Sequence, residues 1–160
     1  MKIAVFPGSF DPFTLAHKDI VDRGAELFDR IVIAIGINTT KKGLMEYEQR
    51  LTAIKEVYAD NPKVEAVIFT GLTVNYCQSI GANYILRGLR NGKDLEYENA
   101  IAQNNFMLAP QVETYFLLSR GDKAHISSTI VREILANNGK IDHLVPKEVL
   151  AVLNLDSAKK

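Results

Sequence analysis

The sequence predicts an α/β fold in which helices cover both faces of a five-stranded parallel sheet. Short apolar runs alternate with segments of helical periodicity along the whole chain, and the connections between them are short. The run at residues 30–36 is almost continuously apolar, which is typical of a strand buried on both faces of a parallel sheet. Linkers, repeats and low-complexity tracts are absent. We therefore expect residues 1–160 to form a single-domain, doubly wound, Rossmann-like fold.

The first half of the chain predicts three strands and two helices. An apolar strand at 3–6 precedes a helix at 14–28, whose apolar residues recur at helical spacing. A second strand at 30–36 precedes a helix at 47–59 with apolar side chains on one side. An Asp-Asn-Pro sequence then breaks the chain, and the β-branched run at 64–69 predicts a third strand.

The second half of the chain is punctuated by glycine and proline. Gly81 ends a short helix, Pro110 ends a long one, and Pro146 suits the first position of the last helix. The predicted elements are a helix at 72–79, a strand at 84–86, a helix at 95–108, a strand at 113–118, a helix capped by Ser127 and Ser128, and a helix at 146–152.

Composition narrows the class of protein. With 160 residues, 47% of them hydrophobic and 24% charged, the chain resembles a soluble globular protein. Its net charge is zero and its pI is about 6.8, so we expect neither nucleic acid nor a membrane surface as a partner. Cys77 is the single cysteine and cannot form an internal disulfide. Because the chain also starts without a basic leader or a long apolar run, we expect a cytoplasmic protein.

The stretch at residues 6–17 predicts a phosphate site. Prolines and a glycine fix a tight loop at the end of the first strand, and the following helix directs its free N–H groups toward that loop. Thr14 and His17 share one face of the first helical turn, and Ser9 offers a second hydroxyl. The alternative is plain turn chemistry, in which Thr14 caps the helix and His17 is solvated or packed in the core.

Polar and basic residues follow each of the other strands as well. Because the carboxyl ends of parallel strands share one edge of a sheet, we expect cations from separate loops to converge on one crevice. The residues concerned are Lys41 and Lys42 after the second strand, Thr73 after the third, Arg87 and Arg90 after the fourth, and Ser127 to Thr129 after the fifth.

Each of these groups also has a structural interpretation. The two lysines could simply be solvated, and the serines could be only helix caps. Arg87 and Arg90 could pair with acidic residues of the next helix, namely Asp94, Glu96 or Glu98. We favour ligand binding for the arginines, because a guanidinium fork suits phosphate oxygens. On spacing alone, no role is assigned to His125 and His143.

Taken together, these motifs resemble a known family. Gly-Ser-Phe-Asp-Pro-Phe-Thr-Leu-Ala-His at 8–17 resembles the signature of the nucleotidyltransferase superfamily. With Lys41, the run at 87–90, the acidic residues at 94–98 and the run at 126–133, the order and spacing resemble bacterial phosphopantetheine adenylyltransferases over about residues 5–149. The resemblance implies adenylyl transfer from ATP to 4′-phosphopantetheine with Mg²⁺, which gives dephospho-coenzyme A and pyrophosphate in coenzyme A synthesis. It also implies a homohexamer.

The resemblance implies roles for individual residues. The catalytic residues would be His17, Lys41 and Arg90, and no side chain is expected to bind a metal. The ATP site would comprise Ser9, Phe10, His17, Gly88, Leu89, Arg90, Glu98, Lys123, Ala124, His125, Ile126, Ser127, Ser128 and Thr129. The acceptor site would comprise Ser9, Lys41, Thr73 and Arg87.

Some positions depart from the family pattern. Ala16 replaces a usual glycine, Ser9 replaces a common threonine, and Thr73 stands where an apolar side chain is frequent. Glu46 and Gln49 replace commoner residues at the start of the second helix, which puts the cap of that helix in doubt. None of these changes removes a group that the chemistry needs.

The implied chemistry requires no nucleophilic side chain. A phosphate monoester is already anionic at neutral pH, so the enzyme has only to position two polyanions and neutralise the growing charge. Competing assignments within the superfamily are nicotinate or nicotinamide mononucleotide adenylyltransferase and glycerol-3-phosphate cytidylyltransferase. A nucleotide-binding sensor without turnover is the alternative from another class.

Overall fold

The computed structural model describes residues 1–158, with side chains through residue 154. Strands and helices alternate along this part of the chain. The strands are β1 (Ile3–Gly8), β2 (Arg30–Gly36), β3 (Val64–Phe69), β4 (Tyr84–Leu89) and β5 (Glu113–Leu118). The helices are α1 (Leu15–Gly24), α2 (Tyr47–Val57), α3 (Thr73–Ile80), α4 (Gly92–Leu108), α5 (Ser128–Ala136) and α6 (Lys147–Ala158).

The five strands form one parallel sheet in the order β3-β2-β1-β4-β5. This arrangement confirms the predicted doubly wound α/β fold. The chain moves outward from β1 to β3 on one side and from β4 to β5 on the other, so the direction of winding switches between β1 and β4. A ligand crevice is expected outside the carboxyl ends of the strands at such a switch point.

The two strands at the switch point separate toward their carboxyl ends. β1 pairs with β4 only through Ala4 with Tyr84 and Val5 with Ile85, whereas β1 pairs with β2 along its whole length. The side chain of Arg87 bridges the gap, because its Nη1 donates to the carbonyl of Pro7 at 2.6 Å. The opening between the strands is therefore lined by a cation.

The core lies on both faces of the sheet, as the continuous apolar run of β2 predicted. Residues 31–35 are 0% exposed. Alternate side chains of this strand serve the two faces: Ile31, Ile33 and Ile35 join the larger cluster, and Val32 and Ala34 join the smaller one. Both faces of the central strands are thus covered by helices and loops.

The structure corrects several predicted boundaries. β1 continues through Pro7 and Gly8, which the sequence placed in the following loop. β4 continues to Leu89, so that Arg87 and Gly88 are strand residues. The reason is pairing with β5, whose residues 113–118 match residues 84–89 along the whole strand. Pro7, Gly8, Arg87 and Gly88 therefore sit on rigid strands, and the loop between β1 and α1 begins only at Ser9.

Helix boundaries also differ from prediction. α1 begins after its cap Thr14 and ends at Gly24, because residues 25–27 continue as turns. α4 begins earlier than predicted, since Asn91 accepts a hydrogen bond from the Asp94 N–H and caps the helix. α2 and α3 end within two residues of their predicted limits, and α6 runs from Lys147 beyond the predicted end at 152.

α4 is unusual among the described helices because few of its side chains are buried. Of its 17 residues only Glu98 is classed as buried, and several of its large apolar side chains are exposed. They are Leu95, Tyr97, Ile101, Phe106, Met107 and Leu108. Among the described residues, no helix is long and apolar enough to cross a membrane.

Candidate active site

Two cavities open at the carboxyl edge of the sheet. The first has a volume of about 310 Å³ and lies between the end of β1, the start of α1, the end of β4 and the start of α5. The second has a volume of about 330 Å³ and lies between β1, the ends of β2 and β3, and α4. Pro7, Gly8, Ser9, Arg87 and Glu98 line both. A group bound in one cavity would therefore lie beside a group bound in the other.

The starts of two helices line the first cavity. Ala16 and His17 belong to the first turn of α1, and Ser127 to Thr129 surround the beginning of α5. The first N–H groups of a helix lack partners within the helix and carry the positive end of its dipole. Two such ends on one cavity favour an anionic ligand.

His17 is held by a hydrogen-bonded cap at the start of α1. Its Nδ1 accepts the backbone N–H of Thr14 at 3.0 Å, and its own backbone N–H donates to the Thr14 hydroxyl at 3.3 Å. Because Nδ1 accepts a hydrogen bond, the proton of the neutral ring is on Nε2. The cap interpretation of Thr14 is correct, and the same contact leaves the other ring nitrogen of His17 as a donor.

Aromatic rings enclose His17. The ring centroid of Phe10 lies 5.0 Å away in an edge-on arrangement, and Phe13 is stacked at 5.5 Å. The pKa of His17 is lowered from 6.5 to about 3, chiefly by this removal from water and further by the charges of Arg87 and Arg90. The imidazole is therefore neutral at physiological pH, and its direction is fixed.

The signature loop, residues 9–14 between β1 and α1, is strained at Phe10. This residue has a φ of +48°, a left-handed conformation that is rare for a bulky side chain. Its ring is 2% exposed and packs between Phe6 and Phe13 at centroid distances of 5.3 and 5.7 Å. Packing of the ring holds the loop that carries Ser9.

Arg87 forms the wall between the two cavities. Its Nε donates to Glu98 Oε2 at 2.9 Å, and Nη2 bonds the other oxygen of the same carboxylate. Glu98 is 7% exposed and is the buried acidic residue of α4. The pairing with an acidic residue that the sequence left open is thus present, and it positions the guanidinium in the crevice.

Arg90 is paired in a similar way. Its Nε donates to Asp94 Oδ2 at 3.0 Å, and its backbone N–H donates to the same oxygen at 2.9 Å. Hydrogen bonding from Arg90 lowers the pKa of Asp94. Both residues line the first cavity, so an anion there would meet a guanidinium that a carboxylate already orients.

Sequence reasoning did not assign a role to Arg132, which also lines the first cavity. Its Nη1 donates to the carbonyl of Asp11 at 2.8 Å, and Ser128 Oγ donates to the carbonyl of Pro12 at 2.7 Å. Ser128 and Arg132 are four residues apart on α5 and therefore share a face. This four-residue spacing was the feature of the sequence that could have indicated a role for Arg132 beside Ser128. The two side chains attach α5 to the signature loop.

Comparison with known proteins assigns the family. The sequence pattern of the Cytidylyltransferase-like family matches residues 5–134. A phosphopantetheine adenylyltransferase of Christiangramia forsetii is 50% identical over 149 residues, which are 93% of this chain and 98% of the relative. That of Flavobacterium psychrophilum is 48% identical with the same coverage, and that of Leuconostoc citreum is 47% identical over 96% of this chain and 97% of its own. The chain belongs to the phosphopantetheine adenylyltransferase family.

Most positions that resemblance to the family marks as site residues lie at the two cavities. The first is lined by Ser9, Phe10, His17, Arg87, Gly88, Arg90, Glu98, Ile126, Ser127, Ser128 and Thr129. Thr73 lines the second cavity, together with Ser9 and Arg87. Three of the four positions predicted for the acceptor thus meet in the cavity that adjoins the nucleotide positions.

Five positions predicted from the family lie elsewhere. Lys41 is exposed on the segment between β2 and α2 and lines neither cavity, so the predicted convergence of this lysine on the crevice is not observed. The basic side chains at the first cavity come instead from β4, its end and α5. Leu89 is buried in β4 at 5% exposure. Lys123, Ala124 and His125 lie in the turns before α5, where Lys123 pairs with Asp122 at 2.9 Å.

The cap of α2 is intact, since the Gln49 side-chain oxygen accepts the backbone N–H of Glu46 at 2.8 Å. Within the described part of the chain, no group of three or more His, Cys, Asp or Glu side chains could hold a metal ion. The carboxylates at the first cavity, Asp94 and Glu98, are paired with arginines.

Proposed function

We propose that this chain transfers the adenylyl group of ATP to 4′-phosphopantetheine, giving dephospho-coenzyme A and pyrophosphate in the synthesis of coenzyme A. The observation that carries the proposal is the pair of cavities that share a wall at Ser9 and Arg87. A transfer between two substrates needs adjacent sites, and the family relatives bear the name of this enzyme over nearly their full length.

ATP occupies the first cavity in this proposal. Its α-phosphate lies at the start of α1, where the Nε2–H of His17 donates to a phosphate oxygen. Arg90, Arg132 and the start of α5 bind the remaining phosphates. The ring of His17 is neutral and cannot attract the phosphate by charge, so its contribution is a directed hydrogen bond that strengthens as negative charge grows.

The acceptor occupies the second cavity. Its walls are largely apolar, with Ile37 after β2 and side chains of β3, β4 and α4, and they suit a pantetheine chain better than a second nucleotide. The polar positions Ser9, Thr73 and Arg87 lie where the acceptor phosphate would meet the α-phosphate. Lys41 acts on the same phosphate from the exposed loop after β2.

The reaction is an in-line displacement. An oxygen of the acceptor phosphate attacks the α-phosphorus of ATP, a new P–O bond forms, and the bond to the β,γ-pyrophosphate breaks with its electron pair leaving on pyrophosphate. The attacking oxygen is already anionic, so no side chain has to remove a proton. The chain supplies orientation and stabilisation of charge through His17, Arg90 and Lys41.

Mg²⁺ is part of this proposal as the counter-ion of the triphosphate. The acidic side chains at the nucleotide cavity are already paired with arginines, so they suit a metal that arrives on phosphate oxygens and water. The ion would neutralise charge on the leaving pyrophosphate. No side chain is assigned as its ligand.

We further propose a homohexamer located in the cytoplasm. The exposed apolar side chains of α4, together with Tyr115 and Leu118 of the edge strand β5, provide a surface suited to a second copy of the chain. The number six rests on the family resemblance, and the cytoplasmic location rests on the ATP-dependent reaction.

A pyrophosphate-release assay with a panel of acceptors tests the function. With ATP, Mg²⁺ and 4′-phosphopantetheine we expect pyrophosphate and dephospho-coenzyme A in equal amounts, and with a chelator we expect neither. Nicotinamide mononucleotide with ATP, and glycerol-3-phosphate with CTP, serve as matched acceptors of the competing reactions. Equal turnover with either of them, or ATP binding without any turnover, would overturn the proposal.

A further inference from the structure

Two charged side chains are buried beside the site without lining either cavity. Asp11 lies in the signature loop at 6% exposure, and Arg50 lies in α2 at 5% exposure. Arg50 Nε is 3.5 Å from Asp11 Oδ1. Compared with apolar side chains of similar size, a buried ion pair adds little net stability, but its bonds are directional. The partners of this pair therefore show what it holds in place.

Asp11 holds the end of the segment between β2 and α2. Its Oδ2 accepts the backbone N–H of Leu44 at 2.8 Å, and its Oδ1 accepts that of Met45 at 2.9 Å. These hydrogen bonds span more than thirty positions in sequence. One carboxylate thus attaches the signature loop to the segment that carries Lys41.

Arg50 holds the same two backbones from the other side. Its Nε donates to the carbonyl of Met45 at 2.9 Å, and its Nη1 donates to the carbonyl of Ser9 at 3.0 Å. The Tyr47 ring centroid lies 4.4 Å from the guanidinium carbon. A Cβ on Gly43 would collide with the guanidinium and would lie 2.8 Å from Asp11 Oδ2, so any larger residue here must displace the pair.

The beginning of the segment is attached as well. The Tyr47 hydroxyl accepts the backbone N–H of Asn38 at 2.8 Å and donates to the carbonyl of Asn38 at 3.1 Å. Residues 39–42 lie between the two attachments and are exposed. Lys41 is therefore carried by a short span that is fixed at both ends against α2 and the signature loop.

We propose that Asp11 and Arg50 are positioning residues that hold the Lys41 segment at a fixed distance from Ser9, so that Lys41 can reach the acceptor phosphate. The inference rests on the proposed function, since it assigns these residues to acceptor use. Neither side chain touches a substrate. Their effect is expressed through Lys41, and it falls on the acceptor more than on ATP.

Two variants disturb the pair in different ways. Arg50→Lys keeps the charge but places every donor on one nitrogen, so the separate bonds from Nε to Met45 and from Nη1 to Ser9 are not reproduced. Gly43→Ala keeps both charged residues and displaces the guanidinium sterically. Arg30→Lys is the matched control. Arg30 pairs with Glu65 at the amino ends of β2 and β3, whereas the cavities open at the carboxyl ends of the strands.

Amide hydrogen exchange tests the attachment without any assay of activity. In Arg50→Lys and in Gly43→Ala, the amides of Leu44 and Met45 should exchange at least about ten-fold faster than in the wild-type protein, while those of β2 remain protected. Arg30→Lys should leave the exchange of Leu44 and Met45 unchanged. Unchanged exchange at these two amides in Gly43→Ala would overturn the inference, even if Arg50→Lys failed to fold.

A double-mutant cycle with Lys41→Ala tests the route of the effect. Either Arg50→Lys or Gly43→Ala should lower kcat/KM for 4′-phosphopantetheine by roughly 10- to 100-fold, with calorimetric ATP affinity within about three-fold. In the Lys41→Ala background the same change should cause little further loss, because the residue being positioned is gone.

The outcomes separate this inference from the proposed function. Multiplying losses in the double variant, or an equal loss of ATP affinity, would overturn the positioning role alone. A Lys41→Ala enzyme with normal acceptor kinetics would overturn both the inference and the role of Lys41. Absence of any adenylyl transfer by the wild-type chain would overturn the proposed function, and with it the assignment of the pair to acceptor use.

Discussion

The two ring nitrogens of His17 have different roles, one in the helix cap and one as a hydrogen-bond donor. One ring nitrogen completes the cap of α1 by accepting the Thr14 N–H, and the other therefore carries a proton toward the first cavity. Stacking on Phe13 and edge contact with Phe10 fix the plane of the ring. The hydrogen-bond donor is therefore oriented before any ligand arrives, which is the condition under which a donor contributes most to a charged transition state.

Removal of the imidazole should lower kcat far more than ATP affinity. For His17→Ala we expect kcat to fall roughly 100- to 1,000-fold and the dissociation constant for ATP to change by less than about five-fold. Loss of the cap should lower the free energy of unfolding by about 1 kcal/mol. Stability, calorimetric affinity and kcat measured on one preparation separate these effects. Lys18→Ala, at the next position of α1, is the control. A folded His17→Ala enzyme with normal kcat would show that the ring only supports the helix.

The lowered pKa of His17 should also appear in the pH dependence of stability. The unfolded chain binds a proton at this residue below about pH 6.5, whereas the folded protein does not do so until about pH 3. Because the unfolded state then holds more protons, the free energy of unfolding should fall as the pH drops from 6.5 toward 3, by up to about 1.4 kcal/mol per pH unit from this residue.

Urea unfolding at several pH values between 7 and 4 measures this effect. His17→Gln removes the titrating group and should lower the slope of unfolding free energy against pH in this window. Above pH 7.5 the two curves of unfolding free energy against pH should run parallel, separated by a constant offset. Parallel curves over the whole range would contradict the lowered pKa.

At the scale of elements, the site depends on how α1 packs along one face of the sheet. Gly24 lets α1 pack closely against side chains of β2 and β4. A Cβ there would lie 2.7 Å from Leu86 Cδ2 and 3.0 Å from Ile31 Cδ1, and both of these side chains are 0% exposed. The close approach holds α1 against the strands whose carboxyl ends form the crevice.

Gly24→Ala should therefore lower the free energy of unfolding by about 1 to 3 kcal/mol, although alanine is the better helix former. Gly92→Ala is the matched control, because Gly92 begins α4 and nothing lies within 4 Å of its added Cβ. That control should be neutral or slightly stabilising. Chemical denaturation of the three proteins makes the comparison, and a stable Gly24→Ala protein would show that α1 can shift without cost.

The packing of β1 against β4 explains why the site forms where it does. The strands pair only near their amino ends, and the side chain of Arg87 fills the space between their carboxyl ends. The carboxylate of Glu98 in α4 accepts hydrogen bonds from Nε and Nη2 of the same guanidinium. The side chain of Arg87 therefore connects β1, β4 and α4 at the wall between the cavities.

At the scale of the whole molecule, α4 and β5 leave a surface that the single chain does not cover. Tyr97, Phe106 and Leu108 are exposed on α4, and Leu118 is 69% exposed on the edge strand. A 17-residue helix with so little burial gains little from packing within its own chain. A second copy of the chain would supply the missing contacts, which is the physical basis for the proposed assembly.

Sedimentation or light scattering at micromolar concentration should give a mass about six times the 17.8 kDa of the chain. Leu108→Glu introduces a charge into the proposed interface and should shift the mass toward smaller species. Leu27→Glu, at a leucine that is 53% exposed after α1, should leave the mass unchanged. A monomeric wild-type protein would contradict the assembly.

Much of the fold could be predicted because the relevant signals are local. The limits of β2, β3 and β5 agree with prediction, since each is a short apolar or β-branched run closed by turn residues. The family was also predicted from the order of its motifs, and the relatives confirm it. The boundaries of β1 and β4 were wrong at their carboxyl ends, because pairing with β2 and β5 extends them through residues that resemble loop residues in sequence.

By itself the sequence determined the alternation of elements and the presence of groups that suit phosphate, and it offered Thr14 as a possible helix cap. Tertiary structure decided which of those groups meet. It brought Arg132 beside Asp11 across 121 positions, and it left Lys41 on an exposed span outside the cavities. Periodicity and capping act within a few residues and can be interpreted along the chain. The distance between two side chains from different loops depends on strand order, helix packing and buried pairs such as Asp11 with Arg50, none of which a local pattern records.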